Sequence, residues 1–227
     1  MIFTFVSFIA PIGFLFFRLL SPMNSEVDPL LPPKSSYILM LVQCILGVVV
    51  LILPSFIGKR FKIFIPSGIY CLYVIFLYCA IFLGEIRSFY YNVPHWDTIL
   101  HTFSGAMIGA FGFSVIELLN KEERTHLKLP PAFVAIFAFC FSVALGTLWE
   151  VYEYTLDGIL GLNMQKYQTE AGVDFVGRIA LEDTMKDIIV DMLGALAMAV
   201  IGFISLKYKK GWVEKLIFRK SGDNEAG

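Results

Sequence analysis

Three short stretches of this chain place acids and a histidine at helical spacing inside segments that are otherwise apolar. The first is Asp97-Thr98-Ile99-Leu100-His101, the second runs from Glu150 through Glu153 to Asp157, and the third from Asp183 through Asp187 to Asp191. On an α-helix, each of these spacings puts its set of side chains on one face. An ionisable group in a bilayer costs a few kcal/mol, roughly 2.5–3.5 on insertion scales. Lipid cannot satisfy such groups, so the three stripes are expected to face one another. Several carboxylates and one imidazole cannot all remain charged at close range. Either some carboxylates hold a proton, or a cation neutralises them.

Oxygen ligands with one imidazole suit a divalent metal ion such as Zn²⁺, Mn²⁺, Mg²⁺ or Fe²⁺. The expected ligands are His101, Glu150, Glu153 and Asp187. Asp183 and Asp157 are the expected general bases, with Asp97 and Asp191 as supporting polar groups. Asp97 is placed to orient the imidazole. The bland alternatives are definite. Asp97-Thr98 and Asp183-Thr184 both read as helix starts, where an acid caps the first turn. A hydrogen-bonded packing network between helices would use the same residues with no ligand at all. Ser104, Gly105 and Gly109 below His101, and Gly146 below Glu150, are small enough to let helices approach closely. Arg87, Arg178 and Lys186 are bases available to neutralise acids or hold an anionic head group.

The elements that must carry these residues are set by hydropathy. Of 227 residues, 57% are hydrophobic, and the mean hydropathy is +0.73. The apolar residues fall in runs near the ~20 residues that a spanning helix needs. Six are read: Ile2–Leu20, Tyr37–Ile57, Ile63–Leu83, Thr98–Leu119, Pro131–Tyr154 and Thr184–Leu206. The fold class is therefore all-α, a polytopic integral membrane helix bundle. The first run has no basic leader and no small-residue cleavage pattern, so it is expected to be retained. Cys44, Cys71, Cys79 and Cys140 all lie in apolar runs without a C-x-x-C pair, and are expected to be small buried residues.

Charge orients the spans. Bases concentrate at Lys59–Lys62, in the Asn120–Leu129 connection and in the tail from Lys207; acids dominate the other connections. Positive loops stay in the cytoplasm, so both termini are expected inside, and the three acidic stripes at the outer leaflet. Glu150 follows Pro131 by 19 residues, about 28 Å at 1.5 Å per residue, which agrees with that depth. The division expected is 1–95 as a three-helix membrane segment, 96–206 as the segment carrying the polar cluster, and 207–227 as a basic cytoplasmic tail. That tail, with Trp212, Ile217 and Phe218 among its bases, is expected to lie on the anionic inner leaflet. The long Gly158–Glu182 connection reads equally well as a lid over the cluster and as a solvated loop.

At these residues the chain resembles the VanZ-like bacterial membrane proteins, most nearly a YjdF-like membrane-spanning branch. The shared pattern is Asp97…His101, then Gly146…Glu150…Glu153, then Asp187…Asp191…Gly194, within about Trp96–Val200. Glu153 stands where that group often has Gln, and Asp191 where it often has Asn; both add negative charge. The resemblance implies a multi-pass protein of the bacterial cytoplasmic membrane.

Three functions are compatible with these residues. The first is a metal-dependent enzyme acting on a lipid-linked or cell-envelope substrate. The second is a non-catalytic scaffold or lipid-binding protein. A cation- or proton-coupled transporter comes third, because the cytoplasmic halves of the last two spans offer almost no polar path. No nucleotide-binding loop, serine nucleophile elbow or nucleic-acid patch is present, so nucleotides and nucleic acids are not expected partners.

Overall fold

The computed structural model describes residues 1–21, 34–120, 129–169 and 172–220. The basic 121–128 connection used in the charge argument, and the 22–33 connection, lie outside the described residues. The elements in chain order are α1 (Ile2–Leu20), α2 (Lys34–Phe61), β1 (Ile63–Phe64), α3 (Ser67–Leu77) and a π-helix (Tyr78–Ile86). They continue with α4 (Phe89–Asn92), α5 (Trp96–Asn120), α6 (Pro131–Leu160), a 3₁₀ turn (Gly177–Leu181), α7 (Glu182–Lys207), a second 3₁₀ turn (Val213–Lys215) and β2 (Arg219–Lys220). Among the described residues, six helices are long and apolar enough to cross a membrane. Their outward residues could not face water in such numbers: Phe3, Phe14, Phe17, Ile136, Leu148 and Tyr154 are all exposed. Only Cys44 of the four cysteines is buried, and Cys71 and Cys140 sit on exposed faces. Thiols in a lipid-bathed helix need no protein cover, so the expectation that all four are buried does not hold.

Several boundaries differ from the hydropathy reading, two of them with a clear local cause. The third span starts at Ser67, because Ile63–Phe64 pair antiparallel with Arg219–Lys220 and Pro66 lies between strand and helix. The fifth span runs on to Leu160, which brings Asp157 inside α6. Polar residues past Tyr154 ended the apolar count while the backbone hydrogen bonds continued.

The chain divides into two compact units. One comprises Met1–Ile52, Val74–Thr98 and Leu148–Asp187. In it α1 packs on the π-helix, with Phe3 5.4 Å from Tyr78 between ring centroids. Phe8 is fully buried and its ring sits against Gly47, where a Cβ would come within 3.1 Å of it. The π-helix, a form often found at functional sites, ends Gly84-Glu85-Ile86. A Cβ on Gly84 would stand 2.5 Å from the Tyr90 ring, so only glycine admits that ring. Leu39, Leu162 and Met164 form a small core with Ile38, Tyr152 and Leu156 against it.

The other unit comprises Leu53–Tyr73, Ile99–Thr147 and Ile188–Gly227. Its core joins Ala110, Phe113 and Ile116 of α5, Val134, Ala135 and Ala138 of α6, and Met198 of α7 to Val213 and Ile217 of the tail. The tail residue Ile217 is therefore spent on protein packing and does not face lipid. Ser205, fully buried, accepts the Trp212 and Val213 N–H groups at 3.1 Å each, and its hydroxyl donates to Glu214 at 3.3 Å. The Phe218 N–H donates to the buried Ser114 hydroxyl at 3.1 Å. Ser205→Ala strands two backbone donors and is expected to cost about 2 kcal/mol. Denaturant titration in mixed micelles measures this loss, and an unchanged midpoint would show that the tail is not held by Ser205.

Candidate functional site

The polar residues of the second unit gather around Asp191. Its Oδ1 accepts a hydrogen bond from the Ser104 hydroxyl at 2.8 Å, and its Oδ2 lies 3.3 Å from His101 Nδ1. The Ser104 hydroxyl is also 2.8 Å from the His101 carbonyl oxygen, so one proton is shared between two acceptors. Two glycines make room for Asp191. A Cβ on Gly146 would lie 2.9 Å from Asp191 Oδ2, and one on Gly105 would strike the Asp191 carbonyl oxygen. The Gly105 carbonyl in turn accepts the buried Ser142 hydroxyl at 2.7 Å. Small residues expected to serve helix packing thus also wall a carboxylate. Asp191, expected only as a supporting group, is a direct partner of the imidazole.

The acids of the first unit are placed by α5, α6 and α7. Glu150, Asp157 and Asp187 are buried, and Asp97, Glu153 and Asp183 are half-buried. Glu153 Oε1 accepts the Trp149 indole N–H at 2.9 Å. Asp183 lies in the first turn of α7 with Glu182, where an acid complements the helix dipole. Asp157 is committed to the loop after α6: Oδ1 accepts the Met164 N–H at 2.8 Å and Oδ2 the Gln165 N–H at 3.0 Å. Gln165 Nε2 then donates to the Thr184 hydroxyl at 2.9 Å. The long loop is thus fastened to both α6 and α7. Each oxygen of Asp157, expected as a general base, thus accepts one backbone N–H of this loop.

Glu85, Tyr90 and Lys166 join this group without having been singled out in the sequence. Glu85 is 7% exposed. The Lys166 ammonium lies 5.0 Å from the Tyr90 ring centroid and 5.4 Å from that of Tyr91. Lys166 holds a left-handed backbone, φ 48°, a conformation that costs a non-glycine residue free energy. Burial works to lower its pKa, yet Glu85, Tyr91, Asp97 and Glu153 outweigh that and raise it above 10.5. The Tyr90 phenol is pushed well above 10.0 by burial first, then by Asp97, Glu85, Glu153 and Asp187. Both shifts report the same excess of negative charge. Arg87, Arg178 and Lys186, the bases expected to offset it, are exposed. Glu85 was hidden because it ends an apolar run, and Lys166 because it is one base in an acidic loop.

Of the residues expected to hold a metal ion, Glu150, Glu153 and Asp187 lie in the first unit with Asp97, and His101 lies in the second.

Fold and composition define a multi-pass membrane protein with a cluster of acids and one histidine. The chain belongs to the family described as "Predicted membrane protein (DUF2238)", whose model matches residues 4–208. It is also 33% identical over 145 residues to an uncharacterised protein of Thermotoga maritima, an alignment covering 64% of this chain and 62% of that protein. No solved structure matches.

Proposed function

We propose that this protein is a metal-dependent enzyme of the bacterial cytoplasmic membrane, acting on a lipid-linked or cell-envelope substrate at the outer leaflet. His101 and Asp187 hold a divalent ion, with Glu150, Glu153 and Asp97 completing or supporting the set, and Asp183 serves as general base. A divalent ion bound there supplies Lewis acidity toward a phosphoryl or carbonyl oxygen. The kinship with VanZ-like and YjdF-like proteins, and the placement of both termini in the cytoplasm, are part of this reading.

The observation that carries it is the charge imbalance. Glu85, Asp97 and Glu153 act on Lys166, and Asp187 joins them in acting on Tyr90. Carboxylates gathered in a low-dielectric interior favour a cation beside them. Carboxylates and an imidazole are ligand types that suit such a cation. The test is elemental mass spectrometry on the purified protein beside a His101→Ala, Glu150→Ala double variant. Near one metal per chain, falling at least about tenfold in the variant, is expected.

A second reading, a scaffold held together by its polar network, is favoured by one observation: Asp191 already takes Ser104 and His101 as partners. Metal-free protein whose variant is merely less stable would select that reading and overturn the enzyme.

A further inference from the structure

The first unit contains a cavity of about 100 Å³ that the metal reading does not use. Its walls are the start of α2 (Ser35, Ser36, Leu39 and Met40), the turn from Glu85 to Tyr91, and the loop from Asn163 to Gly172. The loop wall carries hydrogen bonds of its own. Asn163 Nδ2 donates to the Gln168 carbonyl at 2.9 Å, and Asn163 Oδ1 accepts the Gln168 N–H at 3.0 Å. Gln168 Nε2 donates to Asp174 at 2.6 Å. The amides are therefore spent on the loop itself. Glu85 is the charged group lining the cavity. It is 93% buried, and its carboxylate makes no hydrogen bond or ion pair among the described residues. The hydroxyls of Ser35, Ser36 and Ser88 likewise have no hydrogen-bond partner among the described residues.

A buried carboxylate facing a cavity needs a partner that enters the cavity. Lys166 shares the field of Glu85 without forming an ion pair with it: its ammonium sits over the Tyr90 and Tyr91 rings and is 3.4 Å from the Asn163 carbonyl. The local field gives the sign of the missing ligand. Glu85, Asp97 and Glu153 hold the Lys166 proton on against the effect of burial, so carboxylates outnumber the ammonium on this side of the cavity. That field disfavours an anion at the start of α2 and favours a cation at Glu85. Free hydroxyl oxygens beside one carboxylate match a group that donates several N–H bonds, and Leu39 and Met40 give the carbons next to it an apolar wall. A cavity of this size holds a head of a few heavy atoms and no more.

We propose that this cavity binds a small primary ammonium group, with Glu85 as its counter-ion and Ser35, Ser36 and Ser88 as hydrogen-bond acceptors. An ethanolamine phospholipid headgroup and a free short alkylamine present the same chemistry. The site shares the charge of Glu85 with the metal reading and none of its ligands, so its test is run with a chelator present.

Ethanolamine hydrochloride is titrated into the purified full chain in detergent and amine-free buffer, with thermal unfolding as readout and ethylene glycol as the uncharged control. Ethanolamine is expected to raise the midpoint in a saturable way, and ethylene glycol to leave it unchanged. Glu85→Gln should weaken the response at least about tenfold. A Ser35→Ala, Ser36→Ala double variant, which keeps Glu85, should weaken it several-fold and serves if Glu85→Gln does not fold. In nanodiscs, loss of the response to ethanolamine with phosphatidylethanolamine, but not with phosphatidylcholine alone, assigns the site to the headgroup. A response in both assigns it to a free amine. Equal responses to ethanolamine and ethylene glycol, or an undiminished response in the variants, overturn the proposal.

Discussion

Gly194→Ala is expected to be among the most damaging single substitutions in this chain, at roughly 3 kcal/mol or more. In an ordinary helix interior the same change would help by up to about 1 kcal/mol, since alanine is the better helix former. Here a Cβ on Gly194 of α7 would strike the Thr102 carbonyl oxygen of α5 and stand 3.1 Å from the Ala106 nitrogen. Both obstacles are backbone, so no side chain can turn aside and the helices must separate. Separation also breaks the Ser104 and His101 contacts with Asp191, one turn away on α7. Gly158→Ala is the control, because nothing lies within 4 Å of a Cβ there. Denaturant titration of the two variants beside the parent decides the matter. If Gly194→Ala proves as stable as Gly158→Ala, the close crossing of α5 and α7 is wrong.

Asp157→Ala is expected to release the loop after α6 while leaving the spans folded. The carboxylate accepts two backbone N–H bonds, from Met164 and Gln165, and bonds to a charged acceptor contribute roughly 1.5–3 kcal/mol each. Losing about 3 kcal/mol from local closure raises the open population by about two orders of magnitude. Hydrogen exchange at Met164 and Gln165 should therefore quicken by about a hundredfold, with exchange in α5 and α7 unaltered. Leu162 and Met164, buried against Leu39, would lose that packing, and the wall of the cavity beside Glu85 would loosen with them. Unaltered exchange at those two amides would return Asp157 to the pool of candidate bases.

The two outcomes bear on how the polar residues divide. Asp157 looked equivalent to Glu150 and Glu153 in the sequence because the three share a helical face. The difference arises from the turn at the end of α6. Gly161 takes φ 63°, the chain turns back, and its free N–H groups meet the nearest carboxylate. Glu150 and Asp187 are buried within α6 and α7.

By itself the sequence determined the six apolar spans and the presence of acids and one histidine at helical spacing within them. Both are properties of a stretch of chain and its solvent: length, transfer free energy and the 3.6-residue period. Only the tertiary structure decided which of those side chains meet. It made Asp191 a partner of His101, tied Asp157 to its loop, folded Ile217 into a core and paired Ile63–Phe64 with the tail. It also brought Glu85, Tyr90 and Lys166 into one neighbourhood from segments 81 residues apart at their extremes, 85 to 166. These contacts depend on glycines such as Gly84 and Gly105, whose value lies in the atom that approaches them, and a linear sequence does not name that atom.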